Sequence, residues 1–511
     1  MQERIKEKLP LQWVYLLAVP GLLMALWMTN YESQYLHGWA KYAALGGFSL
    51  FAAVLAWGLE RARVRAWKAE HVFLLLFVPL SLAMMAILPV NRVPDEEYHL
   101  LRIWQISIGQ WFPNAENQGV FYQPVNLNDG WGYRNDGMTL TSLAALPNQM
   151  LDTSEYILSN VETNTGVYPV NNYLPQALGL AIFRLFTNNR ILMMYGARLG
   201  AWIVTVLLLY YAVKRLPFGK YTAIVISLFP TMLQESASAS ADGMTVAAVF
   251  AFLALVLDLR VNKRVLKAGD MAMLAFLTVS VATLKILYVP LVFLLLAIPA
   301  ECFGSRKRKG WHAAWMILLS VGLVVGWLLL CKAFYFDHAA ASETKDGNVL
   351  PQIRYIHHNQ ARYLLIVAKT FLMKIPNYGG GMIGVLLSWY NVSIPYGLIG
   401  LQVLAIGGVF LCDRGMTGQR LGVLRHQLWW TAVASVLIIF TSLYIWWCPY
   451  ASGIVNGVQG RYFTPLLLGV VMALRGSWNK LEWKELTGIL TALMGLLDVA
   501  VLFSVFLQVF G

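Results

Sequence analysis

Charge is scarce in this chain: of its 511 residues only 13% are Asp, Glu, Lys or Arg, while 58% are apolar. A soluble protein of this size carries about twice that charge. The shortage excludes a soluble enzyme. Cysteine is rarer still. Cys302, Cys331, Cys412 and Cys448 form no close-spaced pair and no metal pattern, so they read as small apolar packing residues. No long Lys/Arg tract interleaved with aromatics exists either, which argues against nucleic acid as a partner despite the net charge of +13.

What is present is a series of apolar runs, most of them of the length that carries a helix across a ~30 Å hydrocarbon layer. Thirteen candidate spans can be drawn, at 13–29, 42–59, 71–90, 191–213, 221–233, 243–259, 271–284, 286–300, 313–330, 394–412, 428–447, 463–474 and 486–510. The expected fold class is therefore an all-α polytopic membrane protein. The runs 271–284 and 463–474 are short for a crossing, which suits a broken, tilted or re-entrant element. The first span follows a basic leader without a small-residue cleavage site, so it is expected to stay as an anchor.

Basic residues set the orientation. Seven short stretches, at 4–8, 61–68, 214–220, 260–267, 306–309, 414–425 and 475–484, hold 24 of the 39 Lys and Arg. The positive-inside rule then puts these stretches and the N-terminus in the cytoplasm. Two long segments, 91–190 and 332–393, fall outside. The first is too rich in Trp, Tyr and Phe for a disordered linker and is expected to carry short helices on the membrane surface. Within it, Leu174, Ala177, Leu178, Ala181, Ile182 and Leu185 share one helical face, as an interfacial helix requires.

Candidate chemistry lies where spans emerge on that outer side. Residues 91–99 read Asn-Arg-Val-Pro-Asp-Glu-Glu-Tyr-His. Pro94 suits a first helical position, and Asp95, Glu96 and Glu97 would fill a positively polarised first turn, which by itself describes a well-made helix start. Placed at the membrane surface, the same carboxylates are poised to take a proton from a substrate hydroxyl. His99 and Arg102 follow at helical spacing on roughly the Asp95 face. Lys285 interrupts the apolar stretch 271–300; it is either a cavity-lining cation or a lysine in a tight outer hairpin that snorkels to water. Arg198, inside the fourth span, has the same two readings. In Gly457-Val458-Gln459-Gly460-Arg461-Tyr462-Phe463, Arg461 can clamp a phosphate with its planar fork, or serve as an interfacial anchor. Asp242 is either a helix cap or a polar wall of the same site. Asp95, Asp242, Lys285 and Arg461 come from four separate stretches and all fall on one side. A carboxylate base with fixed cations beside lipid suits transfer from an anionic lipid carrier to a hydroxyl.

These strings also resemble a known family. Val-Pro-Asp-Glu-Glu-Tyr-His with Gln105-Ile106-Ser107, Tyr168-Pro169, Tyr173-Leu174-Pro175-Gln176-Ala177, Ser238 to Asp242, Lys285 with Tyr288, and Gly457 to Tyr462 occur in the order seen in the bacterial membrane family named domain of unknown function 2142. The resemblance covers roughly residues 90–465. That family looks like a member of the GT-C superfamily of glycosyltransferases, which use polyprenyl-phosphate sugars outside the cytoplasmic membrane. It implies a GT-C-like fold with a long first catalytic extracytoplasmic loop. Residues 71–475 would form the core, 1–70 an added N-terminal pair of spans, and 476–511 a C-terminal helix. Asp95 matches the superfamily's acidic base best, with Glu96 as neighbour or substitute. Two departures stand out: two spans precede the one leading to the acidic loop, and Glu97 replaces a residue more often small or apolar.

The implied activity is inverting sugar transfer at the outer face of a bacterial inner membrane. A polyprenyl-phosphate sugar is the donor and a glycan or glycolipid hydroxyl the acceptor. Lys285, Arg461, Tyr462 and Tyr288 would hold the donor phosphate. His99, Arg102, Tyr168, Tyr173, Gln176, Asp242 and Gln459 would line the substrate path. No cofactor is required; a divalent metal is compatible, but no compelling ligand set is present, and Asp337-His338 and His357-His358 read as solvated. The rivals are a flippase or transporter of lipid-linked saccharides, and a polysaccharide polymerase or ligase. The chain lacks the internal repeats of many transporters.

Overall fold

The computed structural model describes residues 21–24, 26–27, 39–112, 120–127, 145–160, 163–166, 168–331, 349–413, 421–478 and 483–510. Most of the first expected span lies outside these residues, as do Asp337 and His338.

The apolar runs become helices, and local chemistry decides their ends. Helix Arg190–Arg215 starts at Asn189, whose side chain accepts the Leu192 N–H. The run 221–233 is not one helix: Pro230 lacks an N–H and splits it into Lys220–Ser227 and Pro230–Ser236. The run 286–300 is wound as a tight 3-10 helix, Ile286–Ala297, with Pro290 inside it. Among the described residues, seven helices are long and apolar enough to cross a membrane, and four shorter apolar ones accompany them. The chain is a multi-pass membrane protein.

Helix Asp242–Asn262 is the axis of the bundle, 89% of its most apolar stretch being buried. It packs on Arg190–Arg215, Ala268–Leu284 and Thr464–Trp478. Helix Lys484–Phe510 makes a second buried rod against Trp39–Val64, Ala69–Ile87 and Tyr396–Cys412. The outermost helices, Trp39–Val64 and Arg306–Cys331, bury only 22%. Their bare apolar faces, with Leu50, Val54 and Trp57 exposed, are what hydrocarbon covers.

The two ends of the axis differ in chemistry. At its C-terminal end Arg215 and Arg264 share Asp258 and Asp270, with Arg215 Nε to Asp258 at 3.1 Å and Arg264 Nη2 to Asp258 at 3.0 Å. This clamp joins three helices. Asp242 begins the other end, ~30 Å away at 1.5 Å per residue, and there the acidic loop meets the bundle.

One expectation is corrected. The fold is mostly but not wholly helical: strands Val120–Pro124 and Tyr156–Asn160 pair antiparallel in the first long segment. The second long segment holds helices Val349–His358 and Gln360–Ile383 and a small hairpin of Leu386–Leu387 with Val392–Ser393. A helix forms at Leu174–Arg184, within the expected stretch. It leaves Leu174, Leu178, Ile182, Leu185 and Phe186 exposed, while its other face lies on helix Arg190–Arg215. That contact is backbone to backbone. A methyl group on Gly179 would fall on the Gly196 carbonyl, and one on Gly200 on the Pro175 carbonyl.

Candidate active site

The acidic loop turns sharply before its helix. Asp95 has φ +65°, in the left-handed region that side-chain-bearing residues seldom adopt, and helix Glu96–Ser107 begins just after it. Asp95 is therefore outside the helix rather than in its first turn. Because of this turn, adjacent carboxylates diverge.

Glu96 points inward and has no exposed surface. Arg198 clasps it, Nε donating to Oε1 at 2.8 Å and Nη2 to Oε2 at 2.7 Å. The Asn91 and Ala239 N–H groups add bonds at 2.8 and 2.9 Å. Arg198 donates onward to the Leu88 and Pro89 carbonyls. Both readings of Arg198 are thereby replaced: it caps the carbonyls at the end of helix Ala69–Ile87 and pairs with Glu96. The Glu96 oxygens are filled and have no exposed surface.

Asp95 points to Arg461. Its side chain is 38% exposed and accepts from Nη2 at 3.0 Å. Nη1 of the same guanidinium donates to Glu235 at 3.1 Å, and Nε lies 3.6 Å from Asp242. Asp242 also holds Lys285 in an ion pair. Lys285 sits at the break between helices Ala268–Leu284 and Ile286–Ala297. Its ammonium lies 5.9 Å from the Tyr168 ring centre and 5.2 Å from that of Tyr462, both within cation–π range. Three carboxylates thus face two cations. Glu235, Asp242, Lys285, Tyr288, Arg461 and Tyr462 line one narrow cleft with a free volume of about 10 Å³.

Supporting residues fix this ring. Tyr288 donates its hydroxyl to the Tyr462 carbonyl at 2.9 Å. Asn172 donates to the Leu284 carbonyl at 2.6 Å, tying the first long segment to the residue before Lys285. Gly460 seats the Arg461 turn, because a methyl group there would strike the Tyr378 carbonyl and the Met382 nitrogen. His99 Nδ1 bonds the Tyr173 hydroxyl at 2.7 Å. Burial pushes the imidazole down to about 4, against the pull of Asp242 and Asp95, so it is neutral at pH 7. Burial likewise raises the Tyr168 and Tyr173 phenols.

The expected site residues thus divide. Asp95, Asp242, Lys285, Arg461, Tyr462 and Tyr288 come together, with His99, Tyr168 and Tyr173 behind them. Arg102 does not line the cleft: it is fully buried, bonded to Gln105 and to the Trp111 carbonyl. Gln176 is also a structural wedge, donating to the Asn172 and Ala239 carbonyls. Gln459 starts the short helix Gly460–Phe463. Among the described residues no cluster of three or more metal-ligating side chains forms. Glu235 was not foreseen. The available signal was a carboxylate two residues beyond an apolar run, where charge is costly and marks a site.

Residues 75–470 match the family described as "Predicted membrane protein (DUF2142)". The chain belongs to this family. No curated protein and no solved structure matches it. The matched region takes in every residue named at the DUF2142 chain's cleft, from Asp95 to Tyr462.

Proposed function

We propose that this DUF2142 protein is an inverting glycosyltransferase of the GT-C kind. It moves a sugar from a polyprenyl-phosphate donor to an acceptor hydroxyl at the extracytoplasmic face of a bacterial inner membrane. The observation that carries this reading is the convergence of Asp95, Arg461, Lys285 and Asp242 from four distant stretches at one end of a membrane bundle. The basic stretches at 214–220 and 260–267 lie at the opposite end of the axis helix, which supports an outward-facing cleft.

In this reading the donor phosphate takes guanidinium and ammonium donors from the carboxylates that now hold them. Arg461 and Lys285 then stabilise the negative charge growing on that phosphate. Displacing Asp95 from Nη2 frees the most exposed of the three acids to work as the base. The acceptor hydroxyl oxygen attacks the anomeric carbon opposite the phosphate, and the bond from that carbon to the phosphate oxygen breaks. The bonding pair leaves with the phosphate and the hydroxyl proton passes to Asp95. The departing anion needs no general acid. Glu235 and Asp242 keep Arg461 aimed while the exchange occurs.

The test is sugar transfer from a synthetic polyprenyl-phosphate donor by the full chain in detergent. Asp95→Asn should slow transfer by roughly a hundredfold or more with thermal stability unchanged. An unaltered rate in the folded variant removes the base assignment. Turnover without a second compartment separates an enzyme from a transporter, and the length of the transferred glycan separates single-sugar transfer from polymerase or ligase action.

A further inference from the structure

The hairpin at 386–393 plays no part in the reading above, yet it is fastened firmly to the cleft. The Ser388 N–H donates to Gln234 Oε1 at 2.6 Å, the Ser388 hydroxyl to the Arg92 carbonyl at 2.8 Å, and Trp389 Nε1 to the Asn91 carbonyl at 3.0 Å. Asn91 and Arg92 lead into Asp95, and Gln234 precedes Glu235. One hairpin tip therefore holds the backbone that leads into Asp95 and the side chain next to Glu235. Its base is set equally close. Gly384 turns at φ +114°, where a side chain would come within 2.7 Å of the Thr231 nitrogen on the helix that carries Glu235.

Between these fasteners the backbone is strained. Ser388 and Tyr390 have φ of +57° and +62°. An aromatic residue rarely occupies the left-handed region, and such strain persists where surrounding bonds overrule it, typically at working sites. The side chain delivered by this strain is Tyr390. It is 48% exposed, so a bound molecule can touch it. Its hydroxyl lies within electrostatic reach of Arg461, Tyr462, Glu235 and Asp95, and poor solvation pushes the phenol up to about 12, leaving it a neutral hydrogen-bond donor at pH 7. Such a donor adds to a ring whose two cations are already shared among three acids.

We propose that Tyr390 is a substrate-contacting residue, its hydroxyl donating to a phosphate oxygen of the group that Arg461 binds, with Trp389 positioning it through Asn91. The inference rests on the phosphate-binding reading above and adds a contact from the second long segment.

Farnesyl phosphate and farnesol, titrated calorimetrically into the full chain in detergent, test it. Tyr390→Phe keeps the ring and removes the donor. Tyr390→Asn relieves the backbone, since Asn tolerates this region, and serves where the first variant folds poorly. The expected result is a loss of farnesyl phosphate affinity of roughly tenfold or more in either variant, the scale of a hydrogen bond to a charged group. Farnesol binding and thermal stability should be unchanged in Tyr390→Phe. Equal farnesyl phosphate affinity in wild type and Tyr390→Phe overturns the Tyr390 contact and leaves the cleft reading standing. Equal losses for farnesol and farnesyl phosphate also overturn it, since the effect would not involve phosphate. Failure of the wild type to bind farnesyl phosphate overturns both readings.

Discussion

Two arginines answer to two neighbouring acids in this molecule. Arg198 and Glu96 form a closed pair with no exposed side-chain surface, every carboxylate oxygen bonded and the guanidinium also capping backbone carbonyls. Arg461 is shared among Asp95, Glu235 and Asp242 at a cleft, and the three acids outnumber the cations they face. The first arrangement is saturated and can only hold; the second has contacts to exchange. The left-handed turn at Asp95 goes with the difference, since the consecutive carboxylates reach different partners on either side of it.

The contrast can be broken most forcefully at Glu96. Glu96→Gln leaves Arg198 charged and buried without its counter-ion, a loss of about 3–5 kcal/mol. Thermal unfolding in detergent should show a large drop, or no folded protein. Asp95→Asn in the same assay should change stability by no more than about 1 kcal/mol, because its acid is partly exposed and Arg461 keeps two other partners. Equal destabilisation by both variants would erase the distinction.

A smaller effect is expected at Arg461. Arg461→Lys retains the charge but replaces a planar fork with a point charge that cannot span three carboxylates and a phosphate. Farnesyl phosphate binding should weaken by about tenfold, with fold retained, and an unchanged affinity would mean that charge alone suffices there.

The mildest test is pH. His99 keeps its proton off until about 4 in the folded chain, against an ordinary value of 6.5. Between those values the unfolded chain binds the proton and the folded one does not, so stability falls as pH drops from about 6.5 toward 4 and is fully present above that window. His99→Gln should flatten this slope in unfolding measurements at stepped pH. A slope that persists in the variant would assign it to other groups.

Much of the cleft is legible in the sequence. Asp95, Asp242, Lys285 and Arg461 each stood at the edge of an apolar run, where water is lost and a charge needs a partner, and the positive-inside rule put them on one side. Their partners within the ring could not be read, because pairing depends on helix rotation. Glu235 was hidden by the break at Pro230, which turns an expected single span into two short helices and folds the acid back into the cleft. Helix Gln360–Ile383 escaped notice because Lys369, Lys374 and the run Gly379–Gly381 dilute its hydropathy below that of a span. Arg102 and Gln176 carried the right chemistry in the right strings, yet they turn inward. Sequence order shows which residues travel together, but not which way each one faces.

The glycine seam gives the bundle a mechanical property. Where Gly179, Gly196 and Gly200 let two backbones touch, no side chain can act as a bearing, so helix Leu174–Arg184 can neither roll nor slide without taking helix Arg190–Arg215 with it. Arg198 lies between two of those glycines and grips the residue next to Asp95. Packing at the seam is thus linked to the acid by two contacts, the glycine seam and the Arg198–Glu96 pair.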